Sequence, residues 1–154
     1  MNTDSLMEEA IRWKVAAESA KAPYEAVWVV FDKDDFHPGN FNRAFDLARA
    51  HPTIHACRSN ECFELWYLLH FCVRSAGIGR VDIWKEISRH LGQKYVKASG
   101  DVFEKLKPHL EDALRNAGRL AFENDRLGED RRNPSTRVHE LVKALQRFDP
   151  EDQT

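Results

Sequence analysis

Along the first sixty residues the apolar positions change period three times. Leu6, Ala10, Ile11, Trp13 and Ala17 recur at helical spacing, and Ala22-Pro23 ends the run because proline disfavours helix in the residue before it. Ala26-Val27-Trp28-Val29-Val30-Phe31 is a continuous apolar run of the kind covered on both faces in a parallel sheet, and it stops abruptly in Asp32-Lys33-Asp34-Asp35. After a His37-Pro38-Gly39 turn, Phe41, Phe45, Leu47 and Ala48 predict a second amphipathic helix, and Thr53-Ile54-His55-Ala56-Cys57 a second strand. The segment therefore reads as a β-α-β unit. Asn60 is placed to cap a helix over residues 61–71, which is apolar almost all round and so expected in the interior.

The second half is helical. Residues 81–87 open a helix that should close near Gly92, and Asp101 opens a longer one with a capping-box pattern to Glu104, which Pro108 kinks or divides. Asn133-Pro134-Ser135-Thr136 puts a capping residue ahead of a proline, predicting a terminal helix along Val138, Leu141, Val142 and Leu145. The fold class is α/β: a small parallel sheet flanked by helices, with a helix-rich C-terminal half. Residues 1–148 form one domain and 149–154 a tail.

Composition narrows the function classes. A chain of 154 residues that is 42% hydrophobic can build one core but not two. With 31% charged residues and a net charge of −2 there is no global basic field, so any nucleic-acid contact must be local. Cys57, Cys62 and Cys72 form no CxxC pair, which argues against a zinc site and a disulfide framework and for a reducing compartment. No apolar stretch reaches 18 residues and acidic residues precede the first apolar run, so a cytoplasmic chain with neither signal peptide nor membrane span is expected.

Two constellations carry chemistry. Asp32-x-Asp34 closes a strand, the end at which open α/β sheets place ligands, and two carboxylates there suit a magnesium or manganese ion that keeps several waters. The plainer alternative is that aspartates favour strand-to-loop turns. Glu64 stands at the start of an otherwise apolar helix after the next strand, so Asp32, Asp34, Asn60 and Glu64 can converge on one cleft, with Asn60 supplying an amide. Here too a plainer reading exists, in which Asn60 only caps and Glu64 only complements the helix start. A carboxylate among apolar neighbours is costly unless paired or ligated, which favours a role for Glu64. The seven histidines show no HExxH spacing, and Trp66, Tyr67 and Phe71 are placed as core rather than as a stacking platform.

The order Val30-Phe31-Asp32-x-Asp34, Ser59-Asn60-x-Cys62-Phe63-Glu64-Leu65-Trp66-x-Leu68-Leu69-His70-Phe71, Lys94-Tyr95-x-Lys97 and Asn133-Pro134-Ser135-Thr136 resembles the RloB family over most of the chain. The resemblance implies a Toprim-like, magnesium-dependent nuclease encoded near bacterial restriction and abortive-infection loci. It makes Asp32 and Asp34 the metal-binding pair, and Lys94, Lys97 and Arg137 candidate phosphate contacts. Family members usually open with a further strand and a Glu-Gly-x-x-Thr-Glu-like segment, and they carry proline where this chain has Glu61. Neither feature is present, so the resemblance implies an N-terminally truncated form. A non-catalytic binding or regulatory module is then the alternative to the nuclease, and a structural remnant is the third reading. A two-stranded parallel sheet also leaves edges unpaired, from which self-association or partner binding through the edge of residues 27–31 is expected.

Overall fold

The computed structural model describes residues 3–33, 38–127 and 131–148. Helix α1 (Thr3–Ser19) leads into strand β1 (Val27–Asp32), helix α2 (Pro38–Ala50) and strand β2 (Ile54–Asn60). The rest is helical apart from one short strand: α3 (Glu64–Leu69), α4 (Arg80–Leu91), α5 (Val102–Leu106), α6 (Leu110–Asn124), β3 (Ser135–Thr136) and α7 (Val138–Gln146). Gly92, in the left-handed conformation at φ 66°, closes α4 at the expected place. Pro108 lies in a single 3₁₀ turn between α5 and α6, so it divides the predicted long helix. The Asp101 carboxylate accepts from the side chains of Gln93, Ser99 and Lys105, in place of the expected capping box.

Strands β1 and β2 pair in parallel from Val27 opposite Ile54 to Asp32 opposite Ser59, as the β-α-β reading requires. The sheet has a third strand that the sequence reading assigned to a helix start. Ser135 and Thr136 lie antiparallel to Asn60 and Ser59, giving the order β1-β2-β3. Their hydroxyls explain the preference. Ser135 Oγ bonds the buried Arg58 guanidinium at 2.6 Å, and Thr136 Oγ1 pairs with Ser59 Oγ at 2.9 Å. Thr136 Oγ1 also accepts the Val138 N–H at 3.2 Å, and the N-cap position of α7 is Arg137 rather than Asn133.

A second correction concerns Asn60. It is the last residue of β2, and α3 begins four residues later and is only six residues long. Pairing with β3 keeps the backbone extended through Asn60. The N-cap position of α3 is Phe63, three residues beyond Asn60, and the Asn60 amide nitrogen instead donates to the Arg132 carbonyl at 2.6 Å.

Side chains alternate across the sheet and divide the interior in two. Val29 and Phe31 face α1 and α2, where they join Met7, Phe41, Phe45 and Ile54, with three edge-on phenylalanine contacts among Phe31, Phe41 and Phe45. Cys57 faces the larger core of Leu65, Leu68 and Leu69 from α3, Ile83 and Ile87 from α4, and Ala113, Ala117 and Leu120 from α6. The even-numbered residues of β1 share that second side, and this puts Asp32 on the same side as α3.

Candidate functional site at the carboxyl end of the sheet

Because β1 and β2 are parallel, their last residues open on the same side. Asp32 ends β1 and Glu64 starts α3, four residues beyond the end of β2. Asp32 accepts a hydrogen bond from the Phe63 backbone N–H, which ties the strand end to the helix start. Burial, together with the neighbouring Glu64 charge, pushes the Asp32 carboxyl up to about 6, while Lys97 and Arg80 act in the opposite direction.

Glu64 is 2% exposed. Its Oε1 accepts the Tyr95 O–H at 3.3 Å and stands 3.6 Å from the Lys97 ammonium. Its Oε2 is buried without a hydrogen-bond partner. The Tyr95 hydroxyl is held well above its ordinary range, first by burial and then by Glu64, so it stays a donor. Cys62 lies against the same acidic pair, and burial pushes its thiol up to about 12, which makes it an inert neighbour rather than a nucleophile.

The sequence candidates separate. Asp32, Glu64 and Lys97 come together, and Asp34 lies outside the described residues. Asn60 is buried at the end of β2, with its amide nitrogen committed to holding the segment before β3. Lys94 is exposed, one residue before the inward-pointing Tyr95. Arg137 sits on the other face of the sheet. Its guanidinium is 3.3 Å from both Glu140 carboxylate oxygens, beside a hollow of about 230 Å³ lined by Phe45, Ala48, Arg49 and Ala56. Tyr95, Arg80 and Cys62 are site residues that the sequence reading left unassigned; the only signal for Tyr95 was its place between the two lysines.

Among the described residues no three His, Cys, Asp or Glu side chains form a metal-holding group. The two carboxylates nevertheless fit a hard divalent ion. Magnesium is commonly held by one or two carboxylates with waters completing the shell, and the orphaned Glu64 Oε2 is an acceptor with nothing to accept.

The model for the RloB-like protein family matches residues 1–145 of the chain. The chain belongs to the RloB-like family. No curated protein and no solved structure matches it. In this RloB-like chain the four sequence blocks that carry the resemblance meet around one end of the sheet. Residues 30–33 close β1, 59–71 span the end of β2 and all of α3, 94–97 pack on Glu64, and 133–136 form β3 and its approach.

Tyr95→Phe isolates one contact of this site. The ring keeps its edge-on packing with Tyr67, but the Glu64 carboxylate loses its donor, and leaving a buried acceptor unmatched costs about 1–3 kcal/mol. Urea unfolding of the two proteins should show the lower midpoint at unchanged slope. An unchanged midpoint would mean that the 3.3 Å contact contributes nothing to the fold.

Proposed function

We propose that the chain is a Toprim-like, divalent-metal-dependent nuclease-type domain acting in bacterial phage defence. The observation that carries this reading is the Asp32–Glu64 pair at the carboxyl end of two parallel strands, faced by Lys97 and Arg80. Asp32 and Asp34 are the metal ligands in this proposal, with Mg²⁺ or Mn²⁺ as the ion. Bound there, such an ion would polarise a phosphoryl oxygen and lower the pKa of a coordinated water. The protein's own contribution is to hold the carboxylates on rigid elements, exclude water on the α3 side through Leu65 and Leu68, and offer Lys97 and Arg80 to phosphate oxygens. Glu64 is the candidate general acid or base, with Asn60 supporting the β2 end. Lys94 and Arg137 are candidate phosphate contacts further out.

Calorimetric titration with Mn²⁺, paired with cleavage assays on single- and double-stranded DNA and RNA, tests this. The intact chain should bind Mn²⁺, and Asp32→Ala with Glu64→Gln should remove both binding and cleavage. Equal Mn²⁺ binding by the double variant would reduce the carboxylates to turn and helix-start residues.

One observation favours a second reading, a binding or regulatory module. Val27 and Lys33 donate their backbone N–H groups to Thr53 and Ser59, so the odd-numbered residues of β1 serve the ladder with β2. The N–H and C=O groups of Trp28 and Val30 therefore point to the outer edge, where the sheet order places no strand among the described residues. Val30 is 41% exposed there. Such an edge suits strand pairing with a second copy or a partner chain. No helix among the described residues is long and apolar enough to cross a membrane.

A further inference from the structure

The Lys97 ammonium and the proposed metal ion seek the same negative charge, and the geometry decides how they share it. Glu64 is a buried carboxylate whose side chain is 3% exposed, whereas that of Lys97 is 70% exposed. Only the tip of the lysine reaches inward, to one oxygen, at 3.6 Å. The distance is an ion pair without a tight hydrogen bond, and the long flexible stem leaves the head free to return to water.

The backbone beneath it is fixed by other contacts. Tyr95 N–H donates to Ser88 Oγ at 2.9 Å, and its hydroxyl reaches the same Glu64 oxygen. Ala98 follows at φ 63°, a left-handed conformation unusual for a residue with a Cβ. The loop thus holds Tyr95 in place whether or not Lys97 contacts Glu64. The other carboxylate oxygen, Oε2, is buried and unmatched.

We propose that Lys97 is a tethered counter-ion that occupies the Asp32–Glu64 pair until a divalent cation displaces it. The inference rests on the metal reading above and adds the order of events. Two carboxylates in electrostatic contact require positive charge nearby, and in the metal-free chain Lys97 and Arg80 supply it. A dication held at Asp32, beside Glu64, would satisfy the acidic charge better and repel the ammonium, so binding the ion and releasing Lys97 are coupled. The freed head then stands at the mouth of the site, available to an anionic ligand that it could not reach while paired. Lys97 is a residue that tunes metal affinity, not a ligand.

The test uses the full chain and Mn²⁺ alone, with free Mn²⁺ read by electron paramagnetic resonance at pH 8. Lys97→Met keeps the length of the side chain and removes its charge, and it should tighten Mn²⁺ binding by about tenfold, the ordinary size of a coupling between two ligands. Lys97→Arg keeps the charge and should bind close to wild type. In wild-type protein labelled at lysine, the Lys97 ε-methylene resonance should move to the position of a solvated lysine as Mg²⁺ is added. Unchanged or weaker Mn²⁺ binding by Lys97→Met, with wild type still binding, would overturn the exchange and leave the metal reading standing. Absence of Mn²⁺ binding in wild type and Lys97→Met alike would overturn both. A Lys97 resonance that stays put while Mg²⁺ saturates the site would show that ion and ammonium coexist, which also overturns the proposal.

Discussion

Asp32→Asn should make the protein more stable at pH 8 and should abolish the divalent-cation binding proposed for the site. In the folded chain the Asp32 carboxyl sits at about 6, above its ordinary value of 3.8, because burial and Glu64 disfavour the charge. A raised carboxyl favours the folded state when protonated. That contribution is complete below the ordinary value and is lost as the pH rises through about 6. At pH 8 the folded chain carries a charge that it would rather not hold, worth about 1–2 kcal/mol after allowance for solvent screening. Asparagine keeps an oxygen for the Phe63 N–H and carries no charge, so melts at pH 8 should shift upward by a few degrees. The difference between variant and wild type should shrink towards nothing at pH 4. A constant difference across that range would mean that the carboxyl is not strained by its surroundings. A site that costs stability in the absence of its ligand is the ordinary signature of function, since selection for packing alone would remove the charge.

The second large effect separates the two sides of β1. Val29→Pro should abolish the cooperative fold, because the odd-numbered residues of this strand donate to β2 and Val29 lies at mid-ladder opposite Ala56. Losing that donor and forcing the backbone angle costs about 3 kcal/mol or more, against a total stability of about 5–15 kcal/mol. Val30→Pro should be far milder, because its N–H points away from β2 and proline is tolerated on a sheet edge. Circular dichroism melts measure the first difference. Light scattering measures a second, since any self-association through this edge should weaken in Val30→Pro at nearly unchanged stability. Equal melting of the two variants would show that the ladder assignment is wrong, and a wild type that stays monomeric at high concentration would remove the edge as a docking surface.

How much of this was legible in the sequence follows from how local each determinant is. The apolar run through Phe31 and the glycine at 92 act within a few residues, so β1 and the end of α4 were readable. Pairing Asp32 with Glu64 was also readable, because a β-α-β unit fixes both strand ends on one side. β3 was not. Ser135 and Thr136 are polar, only two residues long as a strand, and adjacent to a proline, which is the local signature of a helix start. What makes them a strand is Arg58 and Ser59, and no local pattern announces partners so distant. Pairing with Ser135 likewise kept Asn60 in β2, away from its expected capping role. Tyr95 was hidden for a related reason: its contact with Glu64 crosses 31 residues and depends on where the loop after α4 returns. Arg137 shows the same limit from the other direction, since a motif next to it in sequence cannot say on which face of the sheet it emerges.

The lateness of β3 has a consequence for how the chain acquires its shape. The hydroxyl pair that joins β2 to β3 spans 77 residues, and α3 to α6 lie between. Closing so long a loop is entropically slow, and pairings of this kind set the pace of folding. As the chain leaves the ribosome, α1, β1, α2 and β2 can assemble while Arg58, Ser59 and Asn60 still lack their partners. The polar end of β2 therefore stays wet until Ser135 and Thr136 have been synthesised. Premature termination anywhere before Ser135 would yield a β-α-β unit with a charged guanidinium stranded beside an open strand, a species suited to capture by chaperones. The polar end of β2 is thus finished only when Ser135 and Thr136 arrive.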